Sequence, residues 1–165
     1  MRIRQAHIDD GPQLWGLRLE MLADAPLAYL DTLDRAVARG LREYHHRVEG
    51  WVTEPDRALF VAQLADEPDA ALVGHLGVVD ERGYAGLVMA YVSPAARGQG
   101  VLKGLVDAAA EWSKRVGRSD LLLEVMERNH RAIRAYEKLG FTATGNRHPH
   151  PYLTPFMELE MVRRA

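Results

Sequence analysis

The stretch Arg97-Gly-Gln-Gly-Val-Leu-Lys103 carries the residue types most able to do chemistry. Gly98 and Gly100 let a backbone turn tightly and approach a ligand with no Cβ in the way. Before them, Leu87–Val92 is an apolar run of strand length, and Pro94 stops it by removing a donor and biasing Ser93 towards extended geometry. After them, Leu102, Leu105, Val106, Ala109, Trp112 and Val116 recur at helical spacing. A strand, a glycine turn and a helix start bring unpaired N–H groups and a positive dipole end to one point. That is an anion site suited to a pyrophosphate. Two familiar phosphate loops do not fit. A dinucleotide fingerprint would need glycine where Lys103 stands, and no Gly-Lys-Ser/Thr of a Walker loop occurs.

A second group of candidates follows about 30 residues on. Leu121–Asn129 opens as a strand, and His130–Leu139 reads as a short helix with Ile133, Tyr136 and Leu139 on one face, ended by Gly140. Asn129 is a good helix cap. Tyr136 offers a phenol, or alternatively a core ring at helical spacing. Glu124 stands in an otherwise apolar strand. Burying it unpaired is costly, so it is either paired on an exposed face or functional. His75, on another strand, and His148 and His150, in a Pro-rich loop, are further titratable groups. The seven histidines show no metal spacing such as H-E-x-x-H.

Together these two stretches resemble the GNAT superfamily of N-acetyltransferases. Its acyl-coenzyme A loop reads Arg/Gln-x-x-Gly-x-Gly/Ala at the junction of the fourth strand and third helix. Arg97 and Gly100 match it. Leu102 stands where the family usually has Gly or Ala, which bears on the approach of the chain there but not on its donor N–H. The later pattern Asn-x-x-Ala-x-x-x-Tyr-Glu-Lys-x-Gly-Phe is met by Asn129, Ala132, Tyr136, Glu137, Lys138, Gly140 and Phe141. The resemblance runs from about Ile3 to Val162 and is strongest from Leu87 to Phe141.

The resemblance implies attack of a neutral primary amine, of a small molecule or a protein, on the thioester of acetyl-coenzyme A in a ternary complex. A lysine-like amine (pKa about 10.4) is almost wholly protonated at pH 7, an α-amine far less so. The oxyanion needs a donor and the leaving thiolate benefits from an acid. By the resemblance, the backbone N–H of Val92, with Tyr91 beside it, takes the thioester carbonyl. The N–H groups of Gly98, Gln99, Gly100, Val101, Leu102 and Lys103 hold the pyrophosphate, with Arg97 as an added cation. Asn129 bonds the pantetheine arm, Ala132 belongs to the same cofactor site, and Tyr136 faces the sulfur as acid. The general base is less legible. No carboxylate lies in Tyr84–Val92, where many relatives have one, so Glu124 is the candidate, with His75, His148, His150 or a water chain as alternatives. Such a chain could also be a non-catalytic acyl-coenzyme A binding or sensing module.

These residues need a scaffold, and the remaining sequence outlines one. Arg2–Ala6 alternates as a first strand. Asp9 or Asp10 can cap a helix carrying Leu14, Leu17, Leu19, Met21 and Leu22, broken at Pro26. A second helix is predicted over Leu33–Val48, with Val37, Leu41, Tyr44 and Val48 inward. Ala58–Leu64 and Leu72–Val79 read as strands, separated by the turn Ala65–Asp69, and Asp80–Tyr84 turns into the next. Thr142–Arg147 and Phe156–Val162 close the order β-α-α-β-β-β-α-β-α-β-β. That is an α+β pattern of about seven strands and four helices. It is also the order of the GNAT fold, a mixed, mostly antiparallel sheet splayed between strands 4 and 5.

Composition sets the outer bounds. A chain of 165 residues suits one domain, 1–165, which needs no staples. With no cysteine, disulfides, thiolate metal sites and a cysteine nucleophile are excluded. A net charge of -2 with 27% charged residues gives no electrostatic reason to expect nucleic acid or an anionic membrane as partner. No secretory h-region and no spanning run is present, so a soluble cytoplasmic protein is expected, needing no metal. A homodimer stays open.

Overall fold

The computed structural model describes the chain except Pro68, Asp69, Arg82 and Tyr152. Parts of the predicted turns Ala65–Asp69 and Asp80–Tyr84 therefore lie outside the described residues. Seven strands form one sheet: β1 (Arg2–Gln5), β2 (Arg57–Gln63), β3 (Leu72–Asp80), β4 (Ala85–Val92), β5 (Asp120–Met126), β6 (Thr142–Pro149) and β7 (Met157–Arg164). Their order is β1-β2-β3-β4-β5-β7-β6. Helices α1 (Gly11–Asp24) and α2 (Leu33–Thr53) cover one face, and α3 (Val101–Arg115) and α4 (His130–Lys138) the other.

Every strand pair is antiparallel except β4–β5. That parallel pair needs a crossover, and α3 supplies it. It is registered only at Ala85↔Leu121 and Gly86↔Leu122. Beyond Gly86 the two strands part, and the gap between them is the central feature of the fold.

Alternation along β2 divides the interior in two. Ala58, Phe60 and Ala62 join a core with Leu105, Trp112 and Phe141 under α3 and α4. Leu59 and Val61 join one with Leu14, Met21 and Val48 under α1 and α2. A strand buried on both faces reads as an unbroken apolar run, as Ala58–Ala62 does.

Two local expectations differ. Asp10 stands at the N-cap of α1, but its carboxylate accepts two bonds from Arg4 (2.6 and 2.7 Å) and one from the His7 N–H (2.7 Å), not from α1. In α2, Gly40 has φ 80°, which breaks the helical rotation. Val48 is buried at 1% exposure, whereas Val37 and Leu41, before and just after the break, are 56% and 44% exposed. A face extrapolated through Gly40 at 100° per residue is therefore wrong for Val37, while Leu41 is exposed although it lies one residue past the break. The helix also runs five residues past Val48, to Thr53, with Trp51 and Val52 packed inward.

Candidate active site

The loop that leaves β4 is shaped by its glycines. A short 3-10 turn, Pro94–Ala96, follows the strand. Gly98 and Gly100 then sit at φ 79° and 80°, a left-handed conformation that costs an ordinary residue about 1–2 kcal/mol. A Cβ built on either would meet no atom within 4 Å, so both face open space. Gly100 is the N-cap of α3 and brings no side-chain acceptor to its first turn. The N–H groups of Val101, Leu102 and Lys103 thus lack partners within the helix, at the positive end of a 15-residue dipole. Leu102 is half-buried and lines the cleft; Val101 is buried in the core beneath.

The side chains of this loop are largely committed to the protein. Arg97 donates to the Val92 carbonyl (3.0 Å), pairs with Asp24 and lies over the Tyr91 ring. Gln99 donates to the Ala95 carbonyl (3.0 Å), and Lys103 pairs with Asp107 one helical turn on (2.6 Å). The backbone remains as the available anion donor.

At the splay, β4 carries an extra residue. His75 pairs with Tyr91, but Gly77 pairs with Val88, so two steps on β3 meet three on β4. Met89, at φ 54°, takes up the difference. Past this bulge the Ser93 N–H donates to the Val73 carbonyl (2.9 Å). In an antiparallel ladder the direction of the groups alternates, so the Val92 N–H points away from β3, into the gap towards β5. Tyr91 itself is buried in the core under α1 and donates to Glu20 (3.2 Å).

On the other side of the gap, Asn129 accepts the Ala132 N–H at 3.1 Å and so caps α4. Its amide N–H2 is left over as a donor, and both residues line the cleft. Tyr136 packs edge-on against Phe141, ring centroids 5.6 Å apart. Burial pushes its phenol up to about 12, and no hydrogen bond engages its hydroxyl among the described residues.

Glu124 lies on the face of β5 turned towards α1 and α2, 46% exposed, with the His148 imidazole 3.7 Å away. It is half-exposed, has an imidazole beside it and lines the cleft. His148 also reaches Glu160 (3.6 Å). His75 and His150 do not line the cleft. His75 is buried against Tyr91, and burial first, then the Arg18 charge, pushes its pKa down to about 4. His150 accepts the Leu153 N–H (3.1 Å) and steadies its loop.

Sequence reasoning missed three contributors. Tyr29, between α1 and α2, donates to the Ala90 carbonyl of the bulge (3.0 Å). Glu158, on β7, lines the cleft, and burial raises its pKa, with the Glu124 charge adding to the rise. Arginines of α1 and α2 form the wall opposite β5. Only the alternating Met157-Glu-Leu-Glu pattern offered a signal, for Glu158.

The whole forms one cleft of about 1070 Å3, into which the Arg97–Lys103 loop, the bulge, Tyr136 and Glu124 all open. Residues 24–141 match the model of the acetyltransferase (GNAT) family. The uncharacterized N-acetyltransferase YobR of Bacillus subtilis is 30% identical over 86 residues, covering 52% of this chain and 34% of that protein. The chain thus spans about a third of that relative's length. An acetyltransferase of the GNAT family from Streptococcus pneumoniae superposes with TM-score 0.78 at 19% identity, covering 99% of this chain and 98% of the other. The structure of yncA from Salmonella typhimurium, solved with its cofactor acetyl-CoA, gives 0.71 at 20% identity, covering 99% and 93%. With a loop, a splay and a sheet of this kind, and a family match over most of its length, the chain belongs to the GNAT acetyltransferase family.

Proposed function

We propose that the chain transfers the acetyl group of acetyl-coenzyme A to a primary amine by direct attack in a ternary complex. One observation carries this reading: the loop N–H groups, the Val92 N–H and the unengaged Tyr136 hydroxyl open into one cleft. The open space beside Gly98 and Gly100 leaves room for a pyrophosphate, and a carboxylate placed there would repel it. A GNAT neighbour with bound acetyl-CoA supports the choice of co-substrate.

In this reading the amine nitrogen loses its proton to Glu124, directly or through water, and attacks the carbonyl carbon. As the C–N bond forms, the Val92 N–H receives the growing negative charge on oxygen. As the C–S bond breaks, the Tyr136 hydroxyl gives a hydrogen bond to the departing thiolate, which takes its proton from solvent. The products are an amide and the free thiol of coenzyme A. Asn129 steadies the pantetheine arm with its amide N–H2.

Incubation of the protein with acetyl-coenzyme A and a panel of primary amines, followed by thiol titration and mass spectrometry, tests this. Thiol release in step with an acetylated amine is expected. Saturable binding of acetyl-coenzyme A with no amine-dependent thiol release would instead make the chain a binding or sensing module.

A further inference from the structure

The α1–α2 wall of the cleft has a charge pattern that the transfer step does not use. Arg18, Arg35, Arg39 and Arg47 all line it. Arg18 has a side chain only 9% exposed and donates to Asp31 (2.8 Å). Arg39 pairs with the same carboxylate and with Glu43 (3.2 Å), and Arg47 reaches Glu43 at 3.5 Å. The Arg35 guanidinium has no partner among the described residues. Four guanidinium groups stand against the carboxylates of Asp31 and Glu43, and a third carboxylate, Asp24 at the end of α1, is matched by Arg97 from the β4–α3 loop, so the wall keeps an excess of positive charge. Asp31 shows what the wall favours. Burial pushes its pKa up, but bonds from Arg18, the Thr32 N–H and Arg39 outweigh this and hold it below the usual carboxylate range.

The facing wall has the opposite sign. Glu81, Glu124 and Glu158 line it from β5, β7 and the turn before β4. Tyr29 joins the two walls at the bulge, bonded to the Ala90 carbonyl and close enough to feel both Arg18 and Tyr136. An amine with a single charge uses only the acidic wall. A polyamine places its far ammonium among guanidinium groups and is repelled. A carboxylate at the far end meets planar donors that match it in pairs.

We propose that the acceptor is a small amine that also carries a carboxylate, its amine directed to the Glu124 side and its carboxylate held by Arg18, Arg35 and Arg47. This rests on the acetyl-transfer reading for its reaction, but not for its binding site.

The test uses matched acceptors: an L-amino acid, its amide, and spermidine. The acid should exceed both in kcat/KM by roughly 10- to 100-fold, as for a site built around a charge-assisted bond. Arg35→Gln and Arg47→Gln should collapse the acid-to-amide ratio towards one, through KM. Arg35→Glu should turn the preference towards spermidine, a gain that misfolding cannot produce. Calorimetry with coenzyme A and the N-acetylated acid or its amide reads the same subsite without turnover. Equal use of acid and amide, a preference for spermidine, or a ratio unmoved by the variants overturns the proposal. Amine-dependent thiol release without carboxylate preference would leave the transfer reading intact and sink this one. Tighter binding of the N-acetylated acid, lost in Arg35→Gln, with no amine acetylated, would do the reverse.

Discussion

Tyr136→Phe should slow turnover by roughly 10- to 150-fold while leaving cofactor affinity and stability nearly unchanged, the size following from a charge-assisted hydrogen bond of about 1.5–3 kcal/mol. The structure sets that size. A phenol raised to about 12 by burial is a weaker acid than a thiol of about 8.5. Full proton transfer to the sulfur would therefore be uphill by roughly 5 kcal/mol, at 1.36 kcal/mol per unit. The hydroxyl contributes a hydrogen bond to the forming thiolate, which is worth less than most of the 10²- to 10⁴-fold that general acids typically give. The ring contact with Phe141 survives the substitution, and the lost hydroxyl leaves no described partner unpaired, so the melting temperature should hold. Thiol release under saturating amine and acetyl-coenzyme A is the assay, run from pH 6 to 10 beside the cofactor dissociation constant. Wild type and variant should share one profile shape, since a phenol near 12 does not titrate in that range. Unchanged kcat would return Tyr136 to the core. A basic limb present only in wild type would show a true proton donor and refute the hydrogen-bond account.

Three further substitutions follow from the same geometry. Glu124→Gln should lower kcat by about 10²-fold, as for removal of a general base, with the cofactor dissociation constant held; retained kcat would assign the base to water or another group. Glu158→Gln should raise the melting temperature at pH 7. Burial favours the protonated carboxyl, so the native state gives up stability as pH rises through the raised pKa. The difference from wild type should close below the ordinary glutamate range, about pH 4; a gap that widens in acid would contradict it. His75 works in the other sense. With its pKa down to about 4, it stays neutral in the fold while the unfolded chain takes up a proton below about 6.5. Stability should fall by roughly 3 kcal/mol between those values, and His75→Phe should flatten that slope in calorimetric melts.

Much of this was readable from short-range pattern. Leu105, Val106, Ala109 and Trp112 are buried along α3, as their spacing required, because that helix runs without a break from its glycine cap. Gly98 and Gly100 both need left-handed backbone, which few other residues adopt. What was not readable depends on partners distant in sequence. The bulge at Met89 exists only relative to β3. Tyr29 finds its acceptor 61 residues away. Asp31 gathers Arg18 and Arg39 from two helices, and no local rule links them. In α2 the pattern misled, because periodicity assumes an unbroken helix and Gly40 breaks this one.

Calorimetric titration with acetyl-coenzyme A, on wild type and on Gly100→Asp, tests the central claim most directly. The variant should fold, since Asp tolerates left-handed backbone better than most residues and its Cβ meets nothing within 4 Å. Its carboxylate, however, enters the space left for the pyrophosphate. One saturable equivalent per wild-type chain, with affinity lost in the folded variant, is the expected result. Equal affinity in the two, or no binding to wild type, would contradict the placement of coenzyme A at the β4–α3 turn.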